Sequence, residues 1–166
     1  MSLRVLTAVG LTTSAVSLMR LQFEALTRGI WLLYAANDVA IAKLASPLTL
    51  ESELAAKKLP SMNEMVAQIG KRVGVSAPKA AHQMLVHFKD VSWYALNSFA
   101  HVGIHPLRRH LEGFPRPLAL QVLRSSNGLS TMAGMVLAIL TGDEAITKSM
   151  GAIQSEFSDC LPELLN

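Results

Sequence analysis

Apolar and polar positions follow one another along most of this chain with the period of an α-helix. In residues 14–44, one face collects apolar side chains at helical spacing, among them Leu18, Leu21 and Leu32. A different face carries a polar stripe with helical spacing: Arg20, Glu24, Arg28, Trp31, Ala35 and Asp38. The pattern predicts one long helix over residues 14–44.

Further helices are predicted downstream, separated by residues that interrupt helices. Pro47 ends the long helix, because proline disfavours a helical conformation in the residue before it. Ser61 followed three positions later by Glu64 is a capping-box pattern, so a short helix begins there. Residues 101–115, rich in His, Arg, Gly and Pro, are expected to form a connection. Three more helices are predicted, over about 76–100, 117–140 and 144–160.

The same pattern sets the fold class. No stretch of the chain alternates apolar and polar residues for long enough to predict a β-strand. We therefore expect an all-α protein, an antiparallel up-and-down bundle of four to six helices with one long N-terminal helix. A chain of 166 residues fits one domain, so residues 1–166 are expected to form a single helical-bundle domain.

The composition adds an expectation about assembly. Hydrophobic residues make up 51% of the chain and charged residues only 16%, whereas an average globular chain is about a quarter charged. An unusual share of the surface must therefore be apolar. This favours a protein that self-associates, and we expect a homodimer.

A membrane protein is the competing interpretation of this composition, and the lengths of the apolar runs oppose it. A spanning helix needs about 20 predominantly apolar residues, but the cleanest run, residues 129–141, is shorter. The run from Val5 to Met19 is diluted by hydroxyl side chains, stops at Arg20, and makes a poor secretory signal. The single Cys160 cannot form an internal disulfide. We expect a cytoplasmic protein without membrane association.

The net charge of +3 is unevenly distributed. Residues 77–116 hold five bases against two acids, residues 117–166 hold two bases against five acids, and all five histidines lie between positions 82 and 110. Basic and titratable chemistry is thus concentrated in one third of the chain. A net charge of this size is far from that of a dedicated nucleic-acid binder.

The first candidate group for chemistry is the charged part of the polar stripe. The i, i+4 spacing lets Glu24 reach both Arg20 and Arg28. One interpretation is a solvated helix face, on which such pairs are worth little. The other is a partly buried Arg–Glu–Arg ladder that lines a cleft or a dimer seam, and Trp31 on the same stripe favours this second interpretation.

The second group lies near the end of the predicted helix over 76–100. His101 is a candidate acid, base or proton shuttle, and together with His105 it has the spacing of a metal-binding pair on one helix face. Gly103 and Pro106 weaken a helix there and no third ligand is placed, so no metal site is predicted. The alternative is that His101 closes the helix end. The candidates are Asn97, Ser98, His101 and His105.

The third group is the basic sequence Arg108-Arg109-His110. It is suited to holding a phosphate or an acidic partner, and equally to being a solvated turn between helices. A polar run at residues 124–127 interrupts an apolar helix and is expected to face the same cleft as the other groups. There is no glycine-rich loop for a nucleotide and no nucleophile motif around Cys160 or any serine, so no cofactor is predicted.

Two segments resemble bacterial proteins grouped with the HEPN-like helical bundles: SLMRLQFEALTRGIWLL at residues 17–33 and LNSFAHVG at residues 96–103. They match an R-x3-E-x3-R helix and a later S-x2-H helix, and the resemblance covers roughly residues 14–130. It implies an antiparallel helical bundle, often dimeric, and an association with RNA cleavage, toxin–antitoxin pairs and phage defence. Active HEPN ribonucleases carry an R-x4-6-H motif, whereas here His110 directly follows Arg109, so an Arg–His pair has to form in space.

These observations lead to three hypotheses about function. The first is a dimeric HEPN-like bundle that binds or cleaves RNA, or binds another phosphate-bearing ligand, in a polar cleft, with His101 as the acid–base group. The second is a non-enzymatic dimeric binding module of the antitoxin or immunity type. The third is a metal-dependent bundle enzyme that uses His101 and His105. The cleft in the first hypothesis is lined by Arg20, Glu24, Arg28, Asn97, Ser98 and His101.

Overall fold

A computed structural model of the protein describes residues 2–163, and within this range the chain is all-α, as predicted. The helices are α1 (Ser2–Ala8), α2 (Thr12–Tyr34), α3 (Asp38–Ala45), α4 (Leu50–Ala56), α5 (Met62–Gly70), α6 (Lys79–Ala100), α7 (Ile104–Glu112), α8 (Arg116–Thr141), α9 (Glu144–Glu156) and a 3-10 helix (Ser158–Cys160). These nine α-helices of the described range outnumber the four to six expected, because several connections are themselves helical. None of the helices described is both long enough and apolar enough to cross a membrane.

The single helix predicted over residues 14–44 was wrong, because the chain breaks after Tyr34. The next two backbone N–H groups both donate to the Trp31 carbonyl at 2.8 Å, which closes the last turn of α2. Asn37 is extended (φ −92°, ψ 165°), and its side chain accepts the Ala40 N–H at 2.9 Å to cap α3. Since a helix cannot run through an extended residue, two helices replace the one expected.

The connection predicted over residues 101–115 was also wrong, because it contains the nine-residue helix α7. Gly103 occupies the position before the helix, so Pro106 is only its third residue. The first N–H groups of a helix have no partner within it, and a proline at this position therefore costs no hydrogen bond. The Gly and Pro that suggested a loop instead mark the start of a helix.

Other boundaries are those that the sequence predicts. The capping box forms at the start of α5, where the Ser61 N–H donates to Glu64 Oε2 at 2.7 Å. Hydrogen bonds from the backbone of Ser61, and then from its side chain, hold the pKa of Glu64 below its ordinary value. At the other end of the chain Gly142 terminates α8 in a left-handed conformation (φ 69°), and Asp143 caps α9.

The chain forms two compact units. The first comprises the described residues of Met1–Leu26 and Lys89–Asn166. Buried apolar side chains of α2, α6 and α8 form its core, to which α1 contributes Leu3. The core residues of these three helices are Ala15, Val16, Met19, Phe23, Leu26, Leu96, Phe99, Val122, Leu129, Met132 and Ala138.

The second unit comprises Thr27–Phe88. Its core is centred on Trp31, which is fully buried and lies near the C-terminal end of α2. The remaining buried apolar residues come from both ends of the unit and from the short helices between them: Ile30, Ala40, Met65, Val66, Ile69, Ala77 and Leu85. The organisation of residues 1–166 as a single domain stays a prediction.

Candidate functional site

Arg20 and His101 lie side by side in the first unit, although 81 positions separate them in the chain. Arg20 is on α2, and His101 directly follows the last residue of α6. Arg20 Nη1 is 2.6 Å from His101 Nε2. Because a guanidinium group can only donate, a hydrogen bond here requires the imidazole nitrogen to be the acceptor, which is the role of Nε2 in the tautomer that carries its proton on Nδ1. The structure thus brings together the first and second groups of candidates.

Three contacts hold the Arg20 guanidinium in one orientation. Besides the bond to His101, its Nε donates to Glu24 Oε1 at 2.9 Å, and its central carbon lies 5.2 Å from the centroid of the Trp93 ring. The side chains of Arg20 and Glu24 are only 18% and 26% exposed. Among residues 2–163, the hydrogen bonds of the Arg20 guanidinium use Nε and Nη1, and none uses Nη2.

Aromatic packing fixes the helices that carry the pair. Phe23 of α2 is fully buried and meets Trp93 of α6 edge to face, with ring centroids 6.1 Å apart. Ser17 donates its hydroxyl to the Phe99 carbonyl at 3.2 Å and joins the same two helices a turn and a half away. Sequence reasoning missed Trp93. The available signal was its i, i+4, i+8 spacing with Asn97 and His101, which puts all three on one helix face.

The backbone at the end of α6 sets the position of His101. Its N–H donates to the Asn97 carbonyl at 3.0 Å, and the Gly103 N–H donates to the Ser98 carbonyl at 2.7 Å, the bond that closes a Schellman-type helix end. Val102 takes the left-handed position of this motif with φ 54°, the only positive φ among the non-glycine residues described. Glycine is the usual residue there, so a β-branched side chain strains the backbone beside His101.

Ser98 and Gly103 also connect α6 to α7. The Ser98 hydroxyl accepts the backbone N–H of His105 at 3.1 Å and so caps the first turn of α7. A Cβ atom at Gly103 would lie 2.5 Å from that hydroxyl and 3.1 Å from the Ser98 Cα, so only glycine fits without displacement. The Ser98 hydroxyl and the backbone carbonyl of Asn97 thus help to shape the turn that carries His101, and ligand binding by these two residues stays a prediction.

Arg28 does not join the cluster as the predicted ladder requires. Its side chain is exposed and belongs to the second unit. None of the ion pairs formed within residues 2–163 includes Arg28. The Arg–Glu–Arg ladder is thus formed only in its first half, since an exposed arginine gains too little from a fixed pairing to offset the loss of side-chain freedom.

His105 packs among aromatic rings. Its ring centroid lies 6.1 Å from that of Tyr94 and 6.0 Å from that of Phe99, and its Nδ1 is buried with no hydrogen-bond partner in the described part of the chain. Within the part of the chain that the structure describes, no group of three His, Cys, Asp or Glu side chains is placed to hold a metal ion. The arrangement of His105 accordingly gives no support to the metal-dependent hypothesis.

Arg108 and Arg109 lie on α7, and both are paired with a single acid. Arg108 Nη1 is 2.9 Å and Arg109 Nη2 is 3.8 Å from the carboxylate of Glu112. The side chain of Arg108 is 61% exposed. One carboxylate shared by two arginines leaves the helix with excess positive charge at its surface, which agrees with the solvated alternative and still permits contact with a phosphate.

Two residues of the polar run at residues 124–127, Ser126 and Asn127, form hydrogen bonds with the first two helices. The buried Ser126 donates its hydroxyl to Gln22 Oε1 at 2.8 Å, and Gln22 Nε2 donates in return to the Ser126 carbonyl at 2.9 Å. Asn127 accepts from the Arg4 guanidinium at 2.8 Å. These polar groups satisfy one another's hydrogen-bonding capacity and connect α8 to α2 and α1.

Comparison with known proteins gives one match. A family model described as a family of unknown function (DUF6988) matches residues 1–163. No curated protein and no solved structure matches the chain.

Proposed function

The chain belongs to the DUF6988 family of unknown function. We propose that it is a HEPN-like helical protein that binds RNA at the Arg20–His101 pair. In this proposal it cleaves the RNA with His101 as the acid–base group. One observation carries the proposal, the 2.6 Å contact between Arg20 Nη1 and His101 Nε2. A fixed cation beside an exposed imidazole is the combination that phosphodiester cleavage requires, because the phosphate needs charge stabilisation and the attacking hydroxyl needs a base.

Two contacts of Arg20 would keep its guanidinium in place while a phosphate binds. Glu24 and Trp93 hold its guanidinium from two sides, and Nη2 has no acceptor among the described residues. Glu24 offsets part of the charge, so an isolated phosphate would bind weakly. A polynucleotide would bind more tightly, because the exposed Arg108 and the partly buried Arg109 would add contacts to neighbouring phosphates.

The contact between the two residues also defines how a reaction would begin. While Nε2 of His101 accepts from Arg20, its lone pair is occupied and cannot take a proton. A phosphate oxygen that replaces His101 as the acceptor of Arg20 Nη1 would release that lone pair. Binding of the phosphate and activation of the base are then one event, because the same guanidinium nitrogen controls both.

The cleavage that follows is a transesterification within the RNA. The 2′-oxygen attacks the phosphorus while its proton passes to His101 Nε2, and the bond from phosphorus to the 5′-oxygen breaks. The 5′-oxygen takes a proton from solvent, so the products are a 2′,3′-cyclic phosphate and a 5′-hydroxyl. Arg20 would stabilise the additional negative charge on the phosphate oxygens in the transition state.

Incubation of the protein with mixed-sequence RNA tests this proposal. We expect wild-type protein to release fragments ending in 2′,3′-cyclic phosphate, and His101→Ala to lower the rate about 100-fold or more. His110→Ala is the matched control, because His110 is an exposed histidine on α7 outside the pair. A DNA of the same sequence lacks the 2′-hydroxyl and should bind without being cleaved. Absence of RNA binding and cleavage by the wild type, or equal rates for both histidine variants, would refute the proposal.

A second candidate function is the non-enzymatic dimeric binding module, of the antitoxin or immunity type. It is favoured by three exposed apolar side chains that share one face of α7 by their spacing, Ile104, Leu107 and Leu111, of which Leu111 is 82% exposed. Large exposed apolar residues that lie together are typical of protein interfaces. In this proposal the helices form an antiparallel up-and-down bundle that acts in the cytoplasm, in a toxin–antitoxin or phage-defence system, and α7 lies in a homodimer interface.

The mass of the protein in solution tests this second candidate separately from the ribonuclease proposal. We expect the wild type to sediment as a dimer and Leu111→Glu to sediment as a monomer, since a buried carboxylate without a partner opposes association. Leu48→Glu is the control, because Leu48 is also highly exposed but lies in a connection of the second unit. A monomeric wild type would remove this candidate and leave the ribonuclease proposal unaffected.

A further inference from the structure

The second unit contains a cavity that the Arg20–His101 pair does not use. Its volume is about 230 Å³, and it is partly open to solvent. Its apolar surface comes from Trp31, Ala35, Val39, Ala40, Leu59 and Pro60. Its polar side chains are Asn37, Lys43, Lys58 and Gln68. We propose that this cavity binds a small organic anion, a carboxylate or phosphate monoester attached to a compact apolar group.

The amide oxygens of the two amide side chains of the cavity already accept hydrogen bonds from groups of the protein. Trp31 Nε1 donates to Gln68 Oε1 at 2.7 Å, and the Ala40 N–H donates to Asn37 Oδ1 at 2.9 Å. Both partners are N–H groups and can only donate, so the atom that each one meets must be the amide oxygen. The free ends of Gln68 and Asn37 are therefore NH2 groups, which donate.

The two lysines add positive charge that nothing in the cavity balances. Neither Lys43 nor Lys58 takes part in any of the ion pairs formed within residues 2–163. Among the residues that the structure describes, no carboxylate lines the cavity. All four polar side chains of the lining can therefore donate hydrogen bonds, and two of them are positively charged. A ligand that accepts hydrogen bonds and carries negative charge is the one that matches them.

Size and surface restrict the kind of anion further. Pockets for drug-sized ligands measure about 300–1,000 Å³, so this cavity fits a smaller molecule. The apolar side chains of Val39, Leu59 and Pro60 at its wall match a ring or a short aliphatic group rather than a bare inorganic ion, and the buried indole of Trp31 is fixed beside them by its bond to Gln68. This assignment does not depend on Arg20 or His101 and stands apart from the proposed ribonuclease function.

Titration of the intact protein with phenyl phosphate tests the inference, with phenol as the neutral analogue. The chain has two tryptophans, so its NMR spectrum has two indole N–H signals. We expect phenyl phosphate to move the Trp31 signal saturably and phenol to leave it in place. The double variant Lys43→Gln/Lys58→Gln should weaken binding about tenfold or more, because it removes both charged donors.

Lys57→Gln provides the matched control. Lys57 precedes Lys58 in the chain, is paired with Glu53, and does not line the cavity. It should leave the affinity for phenyl phosphate unchanged. An equal loss of affinity in this variant and in the double variant would mean that phenyl phosphate responds only to the general surface charge. Absence of saturable binding to the wild type, or an equal response to phenol, would overturn the inference.

Discussion

Replacement of Arg20 by methionine tests whether the arrangement around the Arg20–His101 pair contributes to the folded state. Methionine keeps an unbranched apolar stem but removes the guanidinium. The variant loses a hydrogen bond to His101, worth about 0.5–1.5 kcal/mol. It also loses a half-buried i, i+4 ion pair with Glu24, worth about 0.3–0.5 kcal/mol, and a cation–π contact with Trp93, worth about 0.5–1 kcal/mol.

These contributions lead us to expect that Arg20→Met lowers the free energy of unfolding by about 2 kcal/mol. For a chain of this length, that corresponds to a decrease in Tm of about 4–8 °C. Urea denaturation measures the free energy and calorimetry measures the Tm. Arg108→Met is the matched control, because Arg108 makes one exposed i, i+4 pair with Glu112 and should cost only about 0.3–0.5 kcal/mol.

A double-mutant cycle separates the Arg20–His101 contact from the others. Arg20→Met, His101→Ala and the double variant should give a coupling energy of about 0.5–1.5 kcal/mol, since the two side chains are in direct contact. If Arg20→Met and Arg108→Met cost the same within about 0.5 kcal/mol, Arg20 behaves as an ordinary surface arginine and the reasoning about a preorganised site is refuted.

Three further predictions concern stability, each measured by urea denaturation. Ser126→Ala should cost about 1–2 kcal/mol, because it leaves Gln22 Oε1 without its buried donor, and a change near zero would contradict that network. Val102→Gly should stabilise the protein by about 0.5–1 kcal/mol, because removing the backbone strain of a left-handed valine, about 1–2 kcal/mol, outweighs the extra conformational entropy that glycine gives the unfolded chain. A loss of stability would show that the strain is absent. Because hydrogen bonds from Ser61 lower the pKa of Glu64, its carboxylate stabilises the fold above its ordinary pKa, and this contribution is lost as the pH falls through the lowered value. Glu64→Gln should therefore be less stable than the wild type at pH 7 and differ less at pH 3, and a gap that stays constant with pH would rule this out.

Local sequence signals predicted most of the secondary structure because local interactions create it. The capping box at Ser61 and the turn at Gly142 act within four residues, so they could be recognised without a structure. Asn37 also carried such a signal, yet the apolar periodicity that continues past it suggested an unbroken helix. The start of α7 was missed because Pro106 was taken as a helix breaker, whereas its effect depends on its position within the helix.

The candidate site was predicted only in part. Arg20, Glu24 and His101 were identified from residue type and spacing, and they do meet. Trp93 was overlooked as an aromatic residue of a long helix. The Ser98 hydroxyl caps α7, a role that sequence reasoning did not predict, and its ligand binding stays a prediction.

By itself, the order of the amino acids determined an all-α chain, the approximate extents of most helices, and which side chains were available for chemistry. Each of these depends on neighbours within a few positions. The tertiary structure alone decided that Arg20 and His101 lie 2.6 Å apart, because that distance depends on how α2 docks on α6 through Phe23 and Trp93. No periodicity encodes a contact across 81 residues; it arises only when the buried faces of two helices pack together.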